Sequence, residues 1–205
     1  MIKSTITLLL CAVLLMLTGC TGNNGHSPLK KEKVIKVHLQ PYNGYPAEKL
    51  KRLQRDMQNC LDTLIPELKF NIDVLENRNL PKSFIYTPRN RFRADSIIHY
   101  QQSFPIHDYI VGVISSDIST SVHGVQDFGI QGLSYRPGKS AVVSSFRVKD
   151  KNMFYKVAVH ELLHSLGLPH CPQKDRSCYI CDADKKPQLE KQTRLCRNCK
   201  KKLLN

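Results

Sequence analysis

An α/β sandwich built around one mixed sheet is the fold class that the sequence predicts, and three observations predict it. Apolar strand-like runs alternate with helical periodicity through the first half of the chain. The run Tyr-Ile-Val-Gly-Val-Ile at 109–114 is almost continuously apolar, as a strand buried on both faces should be. A late helical stretch then carries a histidine-rich motif. Alternating strands and helices pack as helices on a sheet. The 205 residues suffice for one domain with a sizeable core, and 41% hydrophobic with 23% charged residues is ordinary for a globular protein.

Residues 1–19 read as an export signal. Lys3 precedes an apolar run over 6–17, shorter than the about 20 residues that span a membrane. The stretch Leu17-Thr18-Gly19-Cys20 resembles a bacterial lipoprotein signal, in which cleavage precedes the cysteine and the cysteine is acylated. Cys20 is thus the expected lipidation site, and the expected location is the bacterial cell envelope, anchored to a membrane. Residues 20–33, rich in Gly, Asn, Ser and Lys, suit a flexible tether. The domain then occupies 34–205.

Within it, Val34, Ile35, Val37 and Leu39 predict a strand ending at Pro41. Over 47–65, Leu50, Leu53, Met57, Cys60, Leu61 and Leu64 share one helical face, with Pro66 beyond it. Cys60 on that face is expected to be an inert buried thiol. Residues 70–75 alternate as a strand does, and 91–104 read as a second helix stopped by Pro105. The polar stretch 115–125 reads as a loop, with His123 a solvated histidine and not a ligand. Residues 128–135 contain Gly129 and Gly132, which suit an edge strand or a bulge. A strand at 141–146 and a helix at 153–166 complete the domain.

That last helix carries His160-Glu161-Leu162-Leu163-His164, followed by Gly167, Pro169, His170 and Cys171. Histidines four apart project from one helical face, one turn apart, and two imidazoles so placed reach one zinc ion. Glu161 is rotated about 100° from His160, so it can face water on the metal instead of ligating. Gly167 permits a positive φ and a sharp turn, which brings His170 back as a third ligand. Three protein ligands leave the fourth position open, as in catalytic zinc sites. This longer pattern resembles that of the metzincins.

Cys171, Cys178, Cys181, Cys196 and Cys199 crowd the C-terminal part, four of them in two Cys-x-x-Cys pairs. Such short spacings suit a structural zinc better than disulfides. Spacing alone leaves open which four of the five ligate; the set Cys178, Cys181, Cys196 and Cys199 is one choice.

The run from His160 to Cys199 resembles the archaemetzincins, small zinc metallopeptidases in which HExxHxxGxxH joins a cysteine directly, with a further Cys-x-Met and a later Cys-x-x-Cys. The resemblance spans about 34–205 and is densest from Ala158 onward. It implies a compact metzincin-like α/β domain, with a mixed twisted sheet, an active-site helix and a C-terminal four-cysteine zinc segment. It implies two zinc ions: a catalytic one on His160, His164 and His170 with Glu161 as general base, and a structural one on Cys171, Cys178, Cys196 and Cys199. Cys181 then remains as the alternative ligand. The gap from Cys171 to Cys178 is longer than the family's and the spacer to Cys196 slightly shorter. Ile180 stands where the family has the Met-turn methionine.

The expected function is hydrolysis of peptide or protein substrates, with aminopeptidase activity associated with the family. The alternative is a non-catalytic, zinc-containing peptide-binding relative, which Ile180 favours and Glu161 opposes. The formal net charge of +14 is spread along the chain. Together with the export signal, it reads as a basic surface, with no nucleic-acid partner expected.

Overall fold

The strand predicted at 109–114 lies at the centre of the larger of two sheets. The structure, a computed structural model, describes residues 34–122, 124–182 and 189–205. The expected signal, the tether with Cys20, and His123 lie outside the described residues. In chain order the elements are β1 (Val34–Pro41), α1 (Ala47–Leu64), β2 (Lys69–Val74), β3 (Ile85–Tyr86), β4 (Arg91–Arg93), α2 (Ala94–Gln102), β5 (Tyr109–Ile114), β6 (Ile118–Val122), β7 (Val125–Ile130), β8 (Gly132–Ser134), β9 (Ser140–Ser144), α3 (Phe154–Ser165) and α4 (Arg197–Leu204).

The larger sheet has the order β2-β1-β5-β9-β8, with β8 antiparallel to β9 and the other pairs parallel. Successive side chains of a strand point to opposite faces. Val37, Leu39, Val111, Val113, Ala141 and Val143 therefore join one core with α1 and α3. Ile114 and Val142 join a second core with Ala94, Ile97 and Ile98 of α2. Burial on both faces is why these strands read as unbroken apolar runs.

The expected single sheet is corrected: a second sheet, β3-β4-β6-β7, packs on the α2 side. Its strands are short and polar, and long-range ion pairs hold them. Arg91 donates to Asp117 at 2.8 Å and to Asp127 at 3.1 Å, and Arg147 donates to both oxygens of Asp117 at 2.6 and 2.7 Å. The second helix accordingly begins at Ala94 and not at 91, because Arg91–Arg93 pairs with β3 and β6. The expected loop at 115–125 contains β6, whose Ser119 and Thr120 are buried. The expected strand at 128–135 is two strands in two sheets, since Ile130 pairs with Ile118 whereas Gly132 pairs with Val143. Cys60 is half-buried, not buried, and its thiol donates to the Tyr179 hydroxyl at 3.2 Å. Burial pushes that thiol above its usual pKa.

Candidate metal centre

Helix α3 ends in a glycine turn that shapes the site. Gly167 has φ +102°, its N–H donates to the His164 carbonyl at 2.8 Å, and the Leu168 N–H donates to the Leu163 carbonyl at 3.1 Å. This paired closure is the Schellman motif, which needs a left-handed residue at that position. The turn also fixes a ligand: His164 donates from Nδ1 to the Leu168 carbonyl at 2.7 Å. His160 donates from Nδ1 to the Tyr179 carbonyl at 2.7 Å. With Nδ1 carrying the proton in both rings, both Nε2 lone pairs are available to a metal.

The two Nε2 atoms lie 3.1 Å apart. Two nitrogens at about 2.0–2.1 Å from one tetrahedral zinc would be about 3.3 Å apart. His170 completes the group, its ring centroid 4.7 Å from that of His164 and 5.6 Å from that of His160, and one ligand atom from each of the three lies within 4.8 Å of the others. The donor set and its spacing fit zinc. Burial, with the neighbouring histidine adding to it, lowers the His164 pKa to about 4; burial likewise lowers that of His160 to about 4. Both rings are thus neutral, as ligands must be.

Glu161 is outside this ligand group. Its carboxylate accepts from the Ser134 hydroxyl at 2.9 Å, across from α3 on β8. It is only 8% exposed, and burial pushes its pKa above the ordinary carboxylate range. A raised carboxyl suits a group that takes and returns a proton near neutral pH. Gly132 makes the room: a Cβ there would lie 2.6 Å from Glu161 Cγ. Nothing in the sequence ties Gly132 or Ser134 to Glu161. Only the pairing of β8 with β9, which sets β8 against α3, reveals them.

The four-cysteine group is equally concentrated. Cys171, Cys178, Cys196 and Cys199 are buried, with their sulfurs within 4.8 Å of one another and those of Cys171 and Cys196 at 3.7 Å. Four sulfurs at about 2.3 Å around tetrahedral zinc would be about 3.8 Å apart. Burial pushes the Cys178 thiol up to about 11, so a cation is what would hold it as thiolate. Cys181 is buried but is not in this group. Ile180 is fully buried, and its carbonyl accepts from the Cys171 N–H at 2.8 Å.

No family model matches the chain. It is 29% identical over 124 residues to the archaemetzincin of Nanoarchaeum equitans, across 58% of this chain and 67% of that protein. The crystal structure of archaemetzincin from Methanopyrus kandleri has a TM-score of 0.70 at 22% identity, covering 87% of this chain and 97% of that one. That of archaemetzincin from Archaeoglobus fulgidus, complexed with malonate, has a TM-score of 0.66 at 21% identity, covering 82% and 99%. Metalloproteinase-II from Bacteroides fragilis shares the fold more distantly, with a TM-score of 0.54 at 11% identity, covering 83% of this chain and 52% of that one.

Proposed function

We propose that this chain, a homologue of the archaemetzincins, is a zinc-dependent peptidase. The observation that carries this reading is the convergence of three histidine nitrogens beside a buried carboxylate that is not among them. His160, His164 and His170 would hold one zinc, and Cys171, Cys178, Cys196 and Cys199 a second. Zinc at the histidines would lower the pKa of water toward about 7 and polarise a carbonyl. Glu161 takes the proton from the attacking water and returns it to the leaving amine, the role its raised pKa suits. Ser134 holds that carboxylate in place. Strand β8 ends the larger sheet, so its outer edge can take an extended peptide as an added strand beside Glu161. Zinc-loaded protein incubated with a diverse peptide mixture should yield new termini by mass. An unchanged mixture would overturn the reading in favour of peptide binding without turnover.

The N-terminal sequence adds an address. A lipid on Cys20 would tether the enzyme to the cell envelope, and among the described residues no helix is long and apolar enough to cross a membrane. Cys20→Ser should then move the protein from the membrane fraction to the soluble fraction. A wild-type protein that is already soluble, with an N-terminus elsewhere than Cys20, would refute the anchor.

A further inference from the structure

Residues of the four-cysteine segment reach the three-histidine site at two places. His170 and Cys171 are consecutive, so one peptide unit joins a histidine ligand to a cysteine ligand. Cys178 directly precedes Tyr179, whose carbonyl accepts the Nδ1 proton of His160 at 2.7 Å. The next carbonyl, of Ile180, accepts from the Cys171 N–H at 2.8 Å. Neighbouring carbonyls of one short segment thus serve a ligand of each site.

That segment is itself held from the C-terminal side. The Tyr179 N–H donates to the Arg194 carbonyl at 2.8 Å, and Cys178 and Arg194 form a bridge. The Cys196 N–H donates to the Cys178 sulfur at 3.4 Å. Cys196 and Cys199 lie at the start of α4, far along the chain from any of the three histidines. Their link to His160 and His170 runs through the sulfur cluster and the residues bonded to it.

We propose that metal in the four-cysteine cluster positions the ligands of the three-histidine site, so that the two sites bind metal cooperatively. This rests on the zinc-site reading above and goes beyond a merely structural role for the thiols. With metal on the sulfurs, the segments at 170–171 and 178–180 are clamped against 194–199. The Tyr179 carbonyl then holds the His160 ring, and His170 is kept beside His160 and His164. Without it, four buried thiols are left with weak sulfur hydrogen bonds, and both anchors loosen together. The hydrogen-bond partner of a ligating histidine is worth about 10- to 100-fold in metal affinity, so the coupling should be of that size. Coupling of binding free energies is reciprocal, so loss of metal from the histidines should weaken the thiol site by the same factor.

Cobalt(II) distinguishes the sites, because thiolate ligation gives intense charge-transfer absorption that histidine ligation does not. In Cys199→Ser, which alters no residue touching a histidine, chelator competition should show the histidine site weakened about 10- to 100-fold. In His164→Ala, the thiolate band should titrate at a cobalt concentration higher by the same factor. Circular dichroism reports whether each variant is folded. If Cys199→Ser does not fold, the His164→Ala arm decides alone. Unchanged histidine-site affinity in a folded Cys199→Ser, or an unshifted thiolate titration in His164→Ala, would overturn the coupling. Coupled metal binding without peptide cleavage would leave the coupling standing and overturn the peptidase reading. A wild-type histidine site that takes no metal would overturn both.

Discussion

Replacing Glu161 with glutamine is expected to leave zinc on the three histidines and to lower peptide hydrolysis by about 10² or more, the contribution of a general base. Glutamine keeps the shape of the side chain and can still accept from Ser134, but it cannot take a proton. Zinc per chain should match wild type because Glu161 is not among the converging ligand atoms. His164→Ala should lose both metal and turnover. A second readout separates catalysis from damage. Burial raises the Glu161 pKa above its unfolded value, so the folded state binds the extra proton. The contribution of Glu161 to the stability of the zinc-free protein is therefore present in full below the unfolded pKa and is lost as pH rises through the folded pKa. At neutral pH the uncharged glutamine avoids that cost, and zinc-free Glu161→Gln should melt above zinc-free wild type. Wild-type turnover in the variant would remove Glu161 from the mechanism.

Zinc content and melting temperature should separate Cys171 from Cys181. The sulfur of Cys171 is in the four-sulfur group and that of Cys181 is not, although both residues are buried. Cys171→Ser should lower zinc per chain and stability together, because structural zinc contributes folding free energy directly. In a domain of this size a loss of 3 kcal/mol would lower Tm by about 6–12 °C. Cys181→Ser should keep wild-type zinc and nearly wild-type Tm. The opposite pattern would assign the metal to the two Cys-x-x-Cys pairs.

The histidine motif was legible because its geometry is local. A helical repeat places His160 and His164, and one glycine turns the chain back to His170. The cysteine cluster was legible as a cluster, and the resemblance to the archaemetzincins implied the four members that the structure brings together, although spacing alone did not. What selects Cys171 over Cys181 is the backbone bond to Ile180 and the approach of Cys196, both products of long-range packing. The second sheet was hidden for a different reason. Ile-Ser-Thr-Ser-Val has the composition of a loop, and β4 is a strand because Arg91 reaches Asp117 and Asp127, far along the chain. Ser134 and Gly132 were hidden likewise, since nothing near them in sequence refers to Glu161. Helix α4 is short and basic, and only Cys199 and Leu203, one turn apart, mark its buried side, too brief a pattern to read as a helix.

The change of sheet between Ile130 and Gly132 has a consequence for which peptides such an enzyme could take. One side of it belongs to the second sheet and the other is β8, only 3 residues long. A strand of that length spans about 10 Å. An added peptide could share backbone bonds with β8 over about two or three of its residues before the chain leaves the edge. So brief a reading window supplies alignment and little grip. Selectivity among substrates would then fall to the side chains flanking the cut bond and to the peptide's own ends, and long polypeptides would hold no advantage over short ones.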